Sequence, residues 1–141
     1  MMRMKNEEVQ HFANFLMTFE LKGRESRMRT RFVKLLAERV ELVNEEHKEL
    51  IRQYARFDEN GEPIIVEIDG QKAYDVPDRT AFNKEYFLLL NEDFVIEENE
   101  ERKEMLLFIK DVILNCDKTF KGREALEYDR WCDIADEIKY E

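Results

Sequence analysis

Glycine occurs only four times and proline twice in 141 residues. That is too few breaks for a sandwich of short strands and tight turns, so long elements are expected. Cysteine is equally scarce. Cys116 and Cys132 stand well apart in apolar helical patterns, which argues against a disulfide framework or a zinc knuckle and leaves two buried free thiols in a reducing compartment. Runs such as Phe87–Leu90 and Met105–Ile109 are the longest apolar stretches, far short of the ~20 residues that cross a bilayer, and nothing resembles a secretory signal. A soluble protein with no membrane partner is expected. Serine occurs once, at Ser26, without a flanking glycine, so a strained nucleophile elbow is missing, as is any glycine-rich phosphate loop.

What is present is a chain 43% hydrophobic and 11% aromatic, enough for the core of a single domain over residues 1–141. Charged residues make up 40% of it, with a formal net charge of −10. That charge is divided. Residues 1–36 carry eight Lys or Arg against four Asp or Glu, a balance of +4, and the remainder carries fifteen against twenty-nine, a balance of −14. A locally basic face can still act within a Debye length of its surface, so the acidic total does not dismiss a polyanion partner.

Helical periodicity organises most of the chain. Val9, Phe12, Ala13, Leu16 and Phe19 share one face of a first helix over about 5–21, ended by Lys22-Gly23, with glycine supplying a left-handed C-terminal residue. A long second helix over about 25–57 carries Val33, Leu36, Val40, Val43, His47, Leu50, Tyr54 and Phe57 at steps of three and four, the seam that bundled helices present to each other. Ile64–Ile68 followed by Asp69-Gly70 then reads as a β-hairpin inserted at about 63–76, with Glu67 opposite Lys72 and Ile65 opposite Tyr74. Asp78 suits the N-cap of a short helix with Phe82, Tyr86, Leu89 and Leu90. Asp93–Ile96 reads as a connector or a short strand. A further helix from about Asn99 aligns Met105, Leu106, Ile109, Val112, Ile113 and Cys116, and a last one from about Glu124 aligns Ala125, Tyr128, Trp131, Ala135 and Ile138.

The two helix junctions echo each other. Lys22-Gly23-Arg24-Glu25 returns as Lys121-Gly122-Arg123-Glu124, and Arg31-Phe32 and Arg130-Trp131 follow each at the same distance. Either a helix-turn-helix unit is duplicated over 5–57 and 99–140, or both junctions found the same stop-and-start chemistry independently. The expected fold is mainly α: two αα-hairpins packed as an irregular four-helix bundle, with tight turns at Gly23 and Gly122, a short extra helix and the β-hairpin insertion.

Few residues invite chemistry. His11 and His47 sit among apolar residues, where a boundary histidine is the plainer reading. Glu8 lies three residues before His11, as a di-iron bundle requires, but no second copy of that pair exists. Glu97, Glu98 and Glu101 have the Glu-Glu-x-x-Glu spacing of the first metal motif in all-α nucleotide pyrophosphohydrolases, whose helical carboxylates hold Mg²⁺. Asp133 and Asp136 have the spacing of the second motif without its residue types, so a solvated acidic helix start is the simpler account. Arg24, Arg27, Arg31 and Lys34 recur at steps of three and four and form a basic stripe, suited either to phosphates or to carboxylates of an acidic partner. No cofactor is implied.

The segments Lys22–Arg24, Arg27–Leu36, Leu89–Asp93 and Lys110–Asn115 together resemble a small family of uncharacterised phage and prophage proteins of Gram-positive bacteria. That resemblance carries no activity onto named residues. It implies a protein acting in the cytoplasm of a bacterial host or in the virion during assembly. The expectation is therefore a non-enzymatic interaction or assembly protein that binds a protein partner or itself. A nucleic-acid-binding accessory protein using the basic stripe is the first alternative, and a Mg-dependent pyrophosphohydrolase the second.

Overall fold

The computed structural model describes residues 1–140. Among these residues there are five helices and two antiparallel two-stranded sheets, so the chain is mainly α. In order they are β1 (Met2–Lys5), α1 (Asn6–Leu16), α2 (Gly23–Tyr54), β2 (Ile65–Ile68), β3 (Gln71–Tyr74), α3 (Arg79–Leu90), β4 (Asp93–Ile96), α4 (Lys103–Leu114) and α5 (Arg123–Asp136). They form two compact units, one of residues 1–40 with the chain from Asp93 onward, the other of residues 41–92. The segment that packs by itself is thus wider than the hairpin, taking in the second half of α2 and all of α3.

In the larger unit β1 pairs with β4, Met2 opposite Ile96 and Met4 opposite Phe94. The period of two turns Met2, Met4 and Ile96 into the core and leaves Arg3 and Val95 outside. Lys5 and Asp93, directly opposite at the strand ends, form an ion pair at 2.8 Å. One apolar cluster then joins Val9, Phe12, Ala13 and Leu16 of α1, Phe32 and Leu36 of α2, Leu106, Ile109 and Ile113 of α4, and Trp131, Ile134 and Ala135 of α5. Phe12 sits between two rings, edge-on to Phe32 at 6.1 Å and tilted against Trp131 at 5.1 Å. β1 is absent from the sequence pattern, and its pairing makes Asp93–Ile96 the short strand of the two alternatives, not the connector.

The junctions differ from the expected tight turns. α1 ends at Leu16 rather than near Leu21, because the Thr18 hydroxyl takes the Phe15 carbonyl at 2.7 Å and competes with the helix ladder. The cation at this helix end is Arg29, not Lys22. It is buried, and its Nη1 donates to the Leu16 and Phe19 carbonyls at 3.0 and 2.7 Å. α4 begins at Lys103 rather than Asn99 and ends at Leu114, with Asn115 as C-cap. Residues 17–22 and 115–122 are therefore extended connections, tied together by Lys118, whose Nζ donates to the carbonyl and hydroxyl of Thr18 at 2.9 and 3.0 Å. Gly23 and Gly122 do have positive φ, 47° and 59°, but each opens the following helix instead of closing the preceding one. The Gly122 carbonyl accepts from the amides of Ala125 and Leu126.

The smaller unit holds the hairpin of β2 and β3 in the register read from the sequence, Glu67 opposite Lys72 and Ile65 opposite Tyr74. Asp69 and Gly70 both take positive φ, 52° and 80°, as the favoured two-residue turn requires. Asp78 caps α3 by accepting from the Ala81 amide at 3.1 Å. Its core is thin: Ile51, Val76 and Phe82 are buried in one cluster, with Leu50, Tyr54 and Ala55 packed around them, and Leu89 is buried besides. His47 lies flat on Tyr86, ring centroids 4.2 Å apart.

Candidate functional site

Arg24, Arg27, Arg31 and Lys34 all reach solvent from the first turns of α2. Arg24 pairs with Glu104 of α4. Among the described residues Arg27, Arg31 and Lys34 form no ion pair, so three of the four cations of the stripe are uncommitted. Arg29 differs from its neighbours, buried in the opposite direction against the end of α1.

Glu97, Glu98 and Glu101 are not on a helix. They lie in the loop between β4 and α4, which removes the helical spacing that makes a Glu-Glu-x-x-Glu set converge on a cation. Glu98 accepts a bond from the Lys139 amide, and the Glu97 carbonyl accepts from Arg102 at 3.2 Å. Among the described residues no three His, Cys, Asp or Glu side chains are grouped to hold a metal ion. The pyrophosphohydrolase reading loses its geometric basis.

Glu8 is engaged in a different way from a metal ligand. Its carboxylate accepts the Lys5 amide at 2.9 Å, closing the first turn of α1, and takes Arg130 bidentately from α5 at 2.6 and 2.9 Å. Burial pushes this carboxyl up, but the Arg130 and Lys5 hydrogen bonds and their charges outweigh that and hold it below its ordinary 4.5. His11 is exposed beside it. Together they line a groove along α1 and α5, a cavity of about 370 Å³ reaching Arg123 and Glu127, adjoining a second of about 350 Å³ that reaches Lys118 and Phe120. Cys132 and Tyr128 neighbour each other on α5. Burial pushes the Cys132 thiol up and the Tyr128 phenol to about 12, and the phenol donates to the Ile113 carbonyl at 2.7 Å. Neither is poised as a nucleophile.

The smaller unit contains the surface that sequence reasoning missed. A groove of about 270 Å³ between α2 and α3 has Leu50, Leu88 and Leu89 as its floor and Glu46, Glu85 and Glu92 as its rim. Phe87 is 65% exposed and Leu88 50%, and on the hairpin Ile65 is 53% exposed beside Tyr74. One signal was available: four consecutive apolar residues, Phe87–Leu90, cannot all face inward on one helix. The groove itself needs the packing of two helices far apart in sequence. Among the described residues no helix is long and apolar enough to cross a membrane. No family model, no curated protein and no solved structure matches the chain.

Proposed function

We propose that this chain is a non-enzymatic interaction or assembly protein of phage or prophage origin, in which the larger unit is the scaffold and the smaller unit engages a protein partner or a second copy. In this reading the larger unit is an irregular four-helix bundle of two αα-hairpins, α1 with the start of α2 and α4 with α5. Supporting it, all four helices place side chains in one apolar cluster. The observation that carries the functional reading is the surface of the smaller unit, where Phe87, Leu88, Ile65 and Tyr74 stay exposed although only Ile51, Val76, Phe82 and Leu89 are buried. Apolar side chains held out on regular elements, rimmed by charge, are what a docking surface requires.

A photo-crosslinking residue in place of Phe87 tests this in the expressing host. Discrete adducts, to a second copy or to one partner, are expected from position 87 and not from Gln53, an exposed polar position of α2. Adducts absent from position 87, or equally abundant from both, would overturn the reading.

A nucleic-acid accessory role is the second reading, favoured by the uncommitted Arg27, Arg31 and Lys34. Anisotropy titrations with duplex and single-stranded DNA at low salt test it. Binding should weaken steeply with salt, and each Arg→Ala change should lower the salt slope by about one. Absence of binding at low salt removes it.

A further inference from the structure

We infer that the leucine-floored acidic groove of the smaller unit receives the basic stripe of α2 from a second copy of this chain. The inference rests on the interaction reading above and names its partner. Charge supports the contact first. Residues 41–92 carry six Lys or Arg against thirteen Asp or Glu, a balance of −7, whereas residues 1–36 stand at +4. Opposite potentials of this kind steer two copies together and suppress like-face encounters. Among the described residues Glu46 and Glu85 of the groove have no ion pair, nor do Arg27, Arg31 and Lys34 of the stripe.

Placement supports it next. Arg27, Arg31 and Lys34 recur at steps of four and three along one face of α2, and Glu46 and Glu85 stand on the two helices that wall the groove. Seven residues rise about 10.5 Å on a helix, so the three cations span about that length. Arg31 falls within the stripe, where it meets Glu85 or Glu46 across the groove. Arginine also suits the floor. Its aliphatic stem can lie on Leu88 while the guanidinium reaches the rim, so half-exposed leucine is covered without an apolar knob on the partner.

Sedimentation velocity over a concentration series tests the contact. Wild-type chain should self-associate at low salt and dissociate at about 0.5 M, where the Debye length is only a few Å. Arg31→Glu and Glu85→Lys, both at exposed positions, should each weaken association about tenfold or more. Mixing the two variants should restore it, because one contact then has wild-type charges and the other has both charges exchanged. Thermal melts of the single variants verify that they fold. A chain that stays monomeric at low salt overturns the inference, as does self-association that neither reversal weakens. The second outcome leaves the broader reading intact if Phe87→Ser still abolishes association.

Discussion

The two units are built from the same kinds of residue and differ in how much each hides. The larger buries sixteen apolar residues in one continuous cluster drawn from four helices and a strand pair. The smaller buries four, three of them in one cluster, and leaves Phe87, Leu88 and Ile65 at least half exposed. Conformational entropy is lost per residue ordered, while the hydrophobic return depends on area removed from water, so a 52-residue segment with four buried apolar side chains is marginal by itself. Such a segment opens locally before the whole chain unfolds, and it gains most from anything that covers its surface. In the proposed reading, the sparse packing of residues 41–92 is what a surface covered by a partner would show.

Core truncation in each unit is the largest way to break this contrast. Phe32 is fully buried against Phe12, and Phe32→Ala should cost about 3–5 kcal/mol in a denaturant titration. Phe82 is the centre of the smaller core, contacting Tyr54 and His47. Phe82→Ala should release amide protection across residues 41–92 in hydrogen exchange while the main unfolding transition moves far less. Equal effects of the two changes on global stability would show that the chain unfolds as one body and remove the contrast.

The Glu8–Arg130 pair sharpens it from the other side, because it ties the first helix of the larger unit to the last. Removing one partner from a charge-assisted bidentate bond costs more than a surface ion pair, but Arg130 remains 40% exposed, so Arg130→Met should cost about 1–2 kcal/mol. The pH sign follows from the depressed Glu8 carboxyl. The unfolded chain binds that proton near 4.5 and the folded chain only below it, so the stabilisation is complete above about 4.5 and is lost as pH falls through the lowered folded value. Glu8→Gln should flatten this acid limb in melts taken across it. An unchanged acid limb would show that other carboxylates govern it.

How much of this was legible in the sequence depended on the range of the contacts involved. The hairpin was readable to its register because Asp69-Gly70 encodes the turn locally, and Asp78 announced the start of α3 in the same way. Strand β1 was not, since Met2–Lys5 is short and its partner, Asp93–Ile96, lies far along the chain. The end of α1 was misplaced because Phe19 continues the apolar period, whereas Thr18 and Arg29 withdraw the carbonyls. The stripe at Arg24–Lys34 was visible as spacing on one helix. The acidic groove was not, because its two walls meet only in the fold.

The paired glycines give a smaller effect. Gly23 and Gly122 stand at positive φ with open space where a Cβ would point, so a substitution meets backbone strain and no collision. Gly→Ala at either should cost about 1 kcal/mol in thermal melts, and at Gly122, where ψ is −133°, Asn should bring no relief because that lies outside the left-handed helical region it tolerates. A loss much above this would mean a packing role.

The smallest effect is also the most selective between the units. Burial of His47 beneath Tyr86 and beside Phe82 pushes its imidazole below the ordinary 6.5. The open form of the smaller unit takes up this proton near 6.5, while the closed form resists until lower pH. Stabilisation of the closed form is thus complete above about 6.5 and declines as pH falls through the lowered value. The ring remains partly exposed, so the effect should stay under about 1 kcal/mol. Amide exchange of α3, corrected for intrinsic rates and compared at about pH 7.5 and 5.5, should show weaker protection at the lower pH. Amides of α4 and α5 should not respond, because the Glu8 window lies lower, below about 4.5. His47→Phe keeps a ring against Tyr86 without a titrating nitrogen, and it should abolish the change in α3 alone. If the variant retains the pH response, or if both units respond alike, His47 is not the group that loosens the smaller unit in acid.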